Sequence, residues 1–301
     1  MPVGLRNIGN TCFMNSILQC VLLSPGLTEW MITKFQASQK HRSTPLSNSF
    51  FDLLSTVRRA NGAGSVTPSD LKTQVSRTVS QFSGFGQQDA QEFLRFLLDR
   101  MHDELNRVTV KPKYQEMKFE KHPVGEQSEK WAQYYRQRDD SIMTDLFEGQ
   151  LMSRVGCLSC NHQTYAFDNF LDLSIDFPRK ATRFTGTISL EDCMQKFIDV
   201  EKIIDAGYKC EGCKKPVNVE KDITLYRFPK LLVIHLKRFY HSAMRREKLN
   251  TTVTFPAKGL DLRKYAPHSS KCHAELIVLI CRSSVSVKCG LRPLRDKSPL
   301  G

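Results

Sequence analysis

Three groups of residues in this 301-residue chain have the types and spacing to do chemistry. The first centres on Cys12, which follows Gly4-Leu5-Arg6-Asn7-Ile8-Gly9-Asn10-Thr11 and opens an apolar periodic run. Phe13, Met14, Ile17, Leu18, Val21 and Leu22 recur at helical spacing and predict a buried helix over 12–23. Asn10 or Thr11 is the expected cap, and Ser24-Pro25-Gly26 the stop. A cysteine in the first helical turn meets unsatisfied N–H groups and the positive end of the macrodipole, which favour the nucleophilic thiolate. Asn7, in the loop just before, is placed to offer a side-chain amide to an oxyanion forming beside Cys12. Against this stands the plainer role of a cysteine in an apolar helix, a small core residue, which suits Cys20.

The second group is two Cys-x-x-Cys pairs, Cys157-Leu158-Ser159-Cys160 and Cys210-Glu211-Gly212-Cys213. Four thiolates from two tight turns suit a tetrahedral Zn²⁺ with a closed coordination shell, a structural site. The stretch 161–209 between them is longer than a simple finger's, so the halves are expected to be hairpins that meet in space. Disulfides and reduced core cysteines are the alternatives. His162 lies near but is not needed to complete the shell.

The third is Gln87-Gln88-Asp89-Ala90-Gln91-Glu92-Phe93. Asp89 with Glu92 three residues on predicts a capping box, and Phe93, Phe96, Leu97, Met101 and Leu105 give the helix behind it a buried stripe. On pattern alone this is a well-capped core helix.

The elements around these groups fall into two halves. Helices are expected over Leu27 to Phe35, Leu46 to Arg59, from Thr67-Pro68 (Thr67 as cap, Pro68 first in the helix), and around Trp131 to Arg138. Breaks fall at 61–64 and 83–86. Leu146 to Val155, Thr164 to Ile175, Ile223 to Phe228 and Leu231 to Phe239 read as strands, interrupted by a helix from Leu190 to Ile198 that Ser189 caps with Asp192. The pattern is α+β: helices first, then a mostly antiparallel sheet.

Composition narrows the classes. With 40% hydrophobic and 25% charged residues, the chain is long enough for a sizeable core. Its longest apolar run, Leu276 to Ile280, is far too short to span a bilayer. No signal peptide is read at Met1-Pro2-Val3-Gly4, and ten cysteines, four of them in two Cys-x-x-Cys pairs, fit a reducing interior better than a disulfide scaffold. The net charge of +13 is scattered, as at Arg58-Arg59 and Arg245-Arg246, which describes a solvated surface rather than a nucleic-acid site.

Residues 4–16 resemble, position by position, the cysteine box of the ubiquitin-specific proteases, and 87–93 resemble that family's glutamine-rich box. Arg227 to Phe239, Phe255-Pro256 and Leu260 to Tyr265 are similar to its palm segments. The resemblance implies a papain-like α+β thiol protease that cleaves isopeptide or peptide bonds after the C-terminal glycine of ubiquitin. Its expected parts are a helical thumb (1–143), a palm with zinc-ribbon fingers (144–274) and an unrelated, disordered tail (275–301). It implies Cys12 as nucleophile, Asn7 as oxyanion donor, Gln88 and Asp89 in the substrate channel, and Cys157, Cys160, Cys210 and Cys213 as zinc ligands. Ubiquitin and ubiquitinated proteins are the implied partners, for a monomer of the cytoplasm or nucleus. His235 sits mid-strand at a position that is structural in the family.

The family's base comes from a Gly-His-Tyr box and its orienting partner from an Asp or Asn on the next strand, and neither box occurs here. The likeness is read as ending near Ala274, as in a C-terminally incomplete domain; His268 and His273 lie close by, in no base motif. The expected consequences are a palm sheet with an unpaired edge and impaired catalysis. Two further readings stay open: a ubiquitin-binding variant without turnover, and a zinc-ribbon interaction module.

Overall fold

A computed structural model of the chain describes residues 3–38, 43–113, 115–178, 186–204, 207–241, 246–256, 260–266, 277–281 and 288–290. Strand β1 (Gly4–Leu5) pairs in parallel with β2 (Ser65–Val66) and so fixes the start of the loop that leads into α1 (Cys12–Leu22). The helices that follow are α2 (Pro25–Thr33), α3 (Phe35–Ser38), α4 (Pro45–Arg59), α5 (Ser69–Thr78), α6 (Ala90–Leu105), α7 (Val124–Arg136) and α8 (Ile142–Phe147). The helix expected over 27–35 is thus two, parted at Lys34. Pro68 stands in the capping position of α5 rather than first in the helix, and Thr67 makes no cap.

The helical half is organised by its apolar stripes. Met14, Ile17, Leu18 and Val21 of α1 meet Phe93, Leu97 and Met101 of α6 and Phe50 and Leu54 of α4, all essentially sealed from solvent. Burial of each such side chain is worth roughly 1.5–3 kcal/mol. A buried carboxylate lies among them. Glu104 of α6 accepts hydrogen bonds from the backbone N–H of Leu46 (3.1 Å), the N–H of Ser47 (2.8 Å) and the Ser47 hydroxyl (2.7 Å). It thereby caps α4 from another helix, in place of a side chain of α4's own.

The sheets are built from β3 (Gly149–Cys157), β4 (Gln163–Phe170), β5 (Leu173–Ile175), β6 (Thr187–Ser189), β7 (Glu201–Ile203), β8 (Val219–Arg227), β9 (Leu231–Leu236), β10 (Phe239–His241), β11 (Arg246–Lys248), β12 (Thr252–Thr254), β13 (Ile277–Cys281) and β14 (Lys288–Gly290). Helix α9 (Leu190–Ile198) carries the expected capping box of Ser189 and Asp192. Leu146 and Phe147, expected to begin a strand, end α8 instead, because Ser141 and Thr144 form a capping box just upstream. One long antiparallel sheet runs β4-β3-β8-β7 and ends at the Cys-x-x-Cys turns.

The other four-stranded sheet, β14-β13-β9-β5, is mixed rather than antiparallel: β9 pairs in parallel with both β5 and β13. The long passage from β5 to β9 by way of α9 permits the parallel pairing. Alternate residues of β9 join different cores. Leu231 and Val233 belong with the helical core, whereas Leu232, Ile234 and Leu236 pack with Leu190, Cys193 and Met194 of α9. By that alternation His235 faces the helical half.

Within the 275–301 stretch expected to be a disordered tail, residues 277–281 and 288–290 form strands, so β9 is not the edge of its sheet. Ile277–Cys281 lies along β9 in register Ile277↔Leu231 to Cys281↔His235, and Lys288–Gly290 pairs antiparallel to it. A run of Ile-Val-Leu-Ile is what a strand flanked on both sides requires, even where the residues after it are polar. His268 and His273 lie outside the described residues.

Candidate active site and metal centre

Cys12 is the first residue of α1 and is half-buried. The loop before it turns sharply through Gly9 (φ 99°) and Asn10 (φ 52°), both left-handed. Gly9 is required twice over, since a Cβ there would sit 2.5 Å from the Phe85 ring. Asn10 Nδ2 donates to the Phe85 carbonyl at 2.8 Å and ties the two loops together. Neither expected cap works through its side chain at the helix start. Instead Asn7 Oδ1 accepts from the Thr11 N–H (2.9 Å) and the Thr11 hydroxyl (3.1 Å), while Thr11 Oγ1 accepts from the Ile8 N–H (3.1 Å). With its oxygen so held, the Asn7 amide keeps its NH₂ donors for another acceptor.

Facing Cys12 is the 83–88 loop. Gln87 Oε1 stands 3.4 Å from Cys12 Sγ, a contact that reading Gln88 and Asp89 as the channel residues missed. Gln88 turns to Gln81, donating to its carbonyl at 2.9 Å. Asp89 is occupied as the cap of α6, accepting from the N–H of Gln91 (2.7 Å) and of Glu92 (3.4 Å). The reciprocal half of the expected capping box is replaced: Glu92 accepts from Gln81 Nε2 at 2.7 Å. Gln87 and Gln88 lie in a loop that has no periodicity to orient them, so only loop geometry separates the two.

No imidazole among the described residues lies within hydrogen-bond reach of Cys12. His235 Nδ1 is 3.0 Å from the Ser174 hydroxyl, which donates to Asp172 at 3.2 Å. Asp172 also accepts from Gln91 Nε2 (3.0 Å) and pairs with Arg95 (3.6 Å). Burial holds His235 below the ordinary histidine value, against the opposing pull of Asp89 and Asp172. The group is a neutral structural link between the helical half and the sheet.

The cleft beside it holds about 350 Å³ and is lined by Arg95, Asp99, Glu148, Asn169 and Asp172, among others. Burial pushes the Glu148 carboxyl up to about 7, despite its hydrogen bond with Asn169.

At the far end of the β3–β8 ladder the sulfur atoms of Cys157, Cys160, Cys210 and Cys213 all lie within 4.8 Å of one another. Cys160 and Cys210 are 3.6 Å apart, close to the edge of about 3.8 Å that a tetrahedron of 2.3 Å Zn–S bonds has. The two turns are built alike. Ser159 N–H points to Cys157 Sγ (3.4 Å) and Gly212 N–H to Cys210 Sγ (3.3 Å). Each turn closes through a left-handed residue, Asn161 (φ 57°) or Lys214 (φ 60°). All four cysteines are free, as ligation through sulfur requires. Soft donors, tetrahedral spacing and N–H···S support make the cluster fit to hold a metal ion.

The model of one family, ubiquitin carboxyl-terminal hydrolase, matches residues 3–290. The chain belongs to the ubiquitin carboxyl-terminal hydrolase family. The match runs past residue 274, beyond the expected end of the likeness, and takes in β13 and β14. Among relatives of this hydrolase domain, human ubiquitin carboxyl-terminal hydrolase 2 is 41% identical over 273 residues, covering 89% of this chain and 44% of its own length. The chicken form is 42% identical over 272 residues, or 88% of this chain and 75% of the relative. Human ubiquitin carboxyl-terminal hydrolase 21 is 31% identical over 308 residues, covering 96% and 54%. This hydrolase domain therefore spans about half or less of the length of those human relatives. The solved SAGA Ubp8/Sgf11/Sus1/Sgf73 DUB module bound to ubiquitin aldehyde aligns with a TM-score of 0.66 at 25% identity, over 88% of this chain and 53% of that one.

Proposed function

We propose that this hydrolase-family domain is a thiol-dependent deubiquitinase acting at the C-terminal glycine of ubiquitin. The observation that carries the reading is Cys12 at the head of α1, opposite Gln87, within a family match over 3–290. A helix N-terminus stabilises a thiolate and offers backbone N–H groups to an anion. In this reading Cys12 Sγ attacks the glycine carbonyl carbon, and the oxyanion takes donors from Asn7 Nδ2 and the backbone at Cys12. Collapse breaks the C–N bond, the amine takes its proton from solvent water, and a second water hydrolyses the thioester to the glycine carboxylate and the free Cys12 thiol. Gln88 and Asp89 act by holding the 83–88 loop and α6 in place beside the channel.

The four-cysteine cluster is proposed to bind a structural Zn²⁺ that joins the β3 and β8 turns and supplies rigidity, not chemistry. Seven free thiols among the described residues support a reducing location, the cytoplasm or nucleus.

One specific observation favours a second reading, capture of ubiquitin without efficient turnover. The sequence holds no Gly-His-Tyr triplet, and among the described residues no imidazole faces Cys12. Two reagents decide between them. A ubiquitin bearing a C-terminal electrophile is expected to label Cys12 under both readings. Hydrolysis of a fluorogenic ubiquitin amide, lost in Cys12→Ala, supports the deubiquitinase; labelling without hydrolysis supports the second. Absence of labelling overturns both.

A further inference from the structure

Lys72, half-buried on α5, is spent on a loop rather than on an acid. Its ammonium donates to the Phe82 carbonyl, to Ser76 Oγ at 3.2 Å and to the Gly84 carbonyl at 3.4 Å. Ser76 Oγ donates to the same Phe82 carbonyl at 3.2 Å. Three ammonium hydrogens thus meet three acceptors. Burial draws Lys72 below the ordinary lysine value, the cost of placing that charge here.

The segment it grips leads straight to the nucleophile. Phe85 is flanked by Gly84 and Gly86, and a Cβ at either glycine would meet nothing closer than 3.6 Å. Such a stretch has little stiffness of its own and must be fixed from outside. It is held at its start by Lys72, at its end by the Gln88–Gln81 bond and the Asp89 cap, and at its apex by Phe85. Phe85 leaves 74% of its surface exposed, yet its ring lies on Gly9 and its carbonyl accepts from Asn10. Two residues on, Gln87 stands over Cys12.

We propose that Lys72 is a positioning residue that sets the 82–88 loop against the cysteine loop, and with it the width of the approach to Cys12. For the substrate this inference rests on the deubiquitinase reading, because the approach is then the path of an extended Gly-Gly tail. A purely structural lysine would support α5 and nothing else.

The test compares Lys72→Met, Lys72→Arg and Phe85→Ala with the wild type in the full chain. Alkylation of the Cys12 peptide by iodoacetamide, followed by mass spectrometry, reports access without ubiquitin. Labelling by the ubiquitin electrophile reports the aligned channel. Lys72→Met and Phe85→Ala are expected to speed alkylation and slow ubiquitin labelling, each by about three- to tenfold, the worth of one hydrogen bond or a little more. Lys72→Arg, which keeps charge and donors, should restore both rates. Phe85 is exposed, so its variant keeps the test alive if Lys72→Met fails to fold. Unchanged rates in both Lys72→Met and Phe85→Ala would overturn the proposal, as would loss without rescue by Lys72→Arg. Faster alkylation with no ubiquitin labelling even of the wild type would sustain the positioning role and sink the substrate reading instead.

Discussion

Cys12 and Gln87 lie 75 positions apart in sequence, yet the thiol sulfur and the amide oxygen are within 3.4 Å. An amide oxygen accepts a hydrogen bond but has no basicity to take a proton at neutral pH, so Gln87 is a wall of the site and not its base. The same loop pair holds Asn7, whose oxygen is committed to Thr11.

Two substitutions therefore separate the halves of the Asn7 amide. Asn7→Asp keeps an acceptor for Thr11 and removes the donor, and it should cut turnover of a ubiquitin amide by roughly 10²–10³-fold with little change in melting temperature. Asn7→Ala removes both and should in addition cost about 1 kcal/mol of stability, the worth of the hydrogen bonds lost to Thr11. Equal melting losses in the two variants would assign Asn7 a structural role alone.

Elemental analysis of the purified protein should find one zinc per chain, and Cys160→Ser or Cys213→Ser should lower it. These sulfurs join turns at the ends of β3 and β8, far along the ladder from α1. Strong chelation is accordingly expected to loosen the β3–β8 end first, seen as faster amide exchange there than in α1 and α6. Full zinc-free stability would refute a structural metal.

Glu148 gives the fold a pH dependence whose sign is fixed. Its carboxyl rises from 4.5 in an unstructured chain to about 7 when folded, chiefly by burial. The folded state therefore holds the proton more tightly, and the stability this group lends is full below pH 4.5 and lost as pH rises through about 7. Glu148→Gln mimics the protonated form and should raise stability above neutrality by on the order of 1–3 kcal/mol while changing little in acid. Urea midpoints of the two proteins across that range provide the measurement.

Glu104 makes a sharper demand. Removing a buried carboxylate that satisfies two backbone N–H groups and a hydroxyl leaves three donors unpaired in a dry site. Glu104→Ala should lower unfolding free energy by about 2–4 kcal/mol, and Glu104→Gln, which keeps one acceptor, by less. The denaturant midpoint reports it.

What the chain fixes alone is local. The stripe of Phe13, Met14, Ile17 and Leu18, the Ser189–Asp192 box and the paired Cys-x-x-Cys turns depend on neighbours within a few residues, so pattern suffices to place them. Tertiary structure decided the rest: Gln87 at the sulfur, Asn7 tied to Thr11 ahead of α1, Glu104 reaching across to α4, and β13 laid in parallel along β9. Each of these joins groups by the shape of a loop, as the left-handed turn at Gly9 and Asn10 does for Asn7 and Thr11, or by partners far along the chain. Hydrophobic period has no information about such contacts, because it records which face is buried and not what stands opposite it.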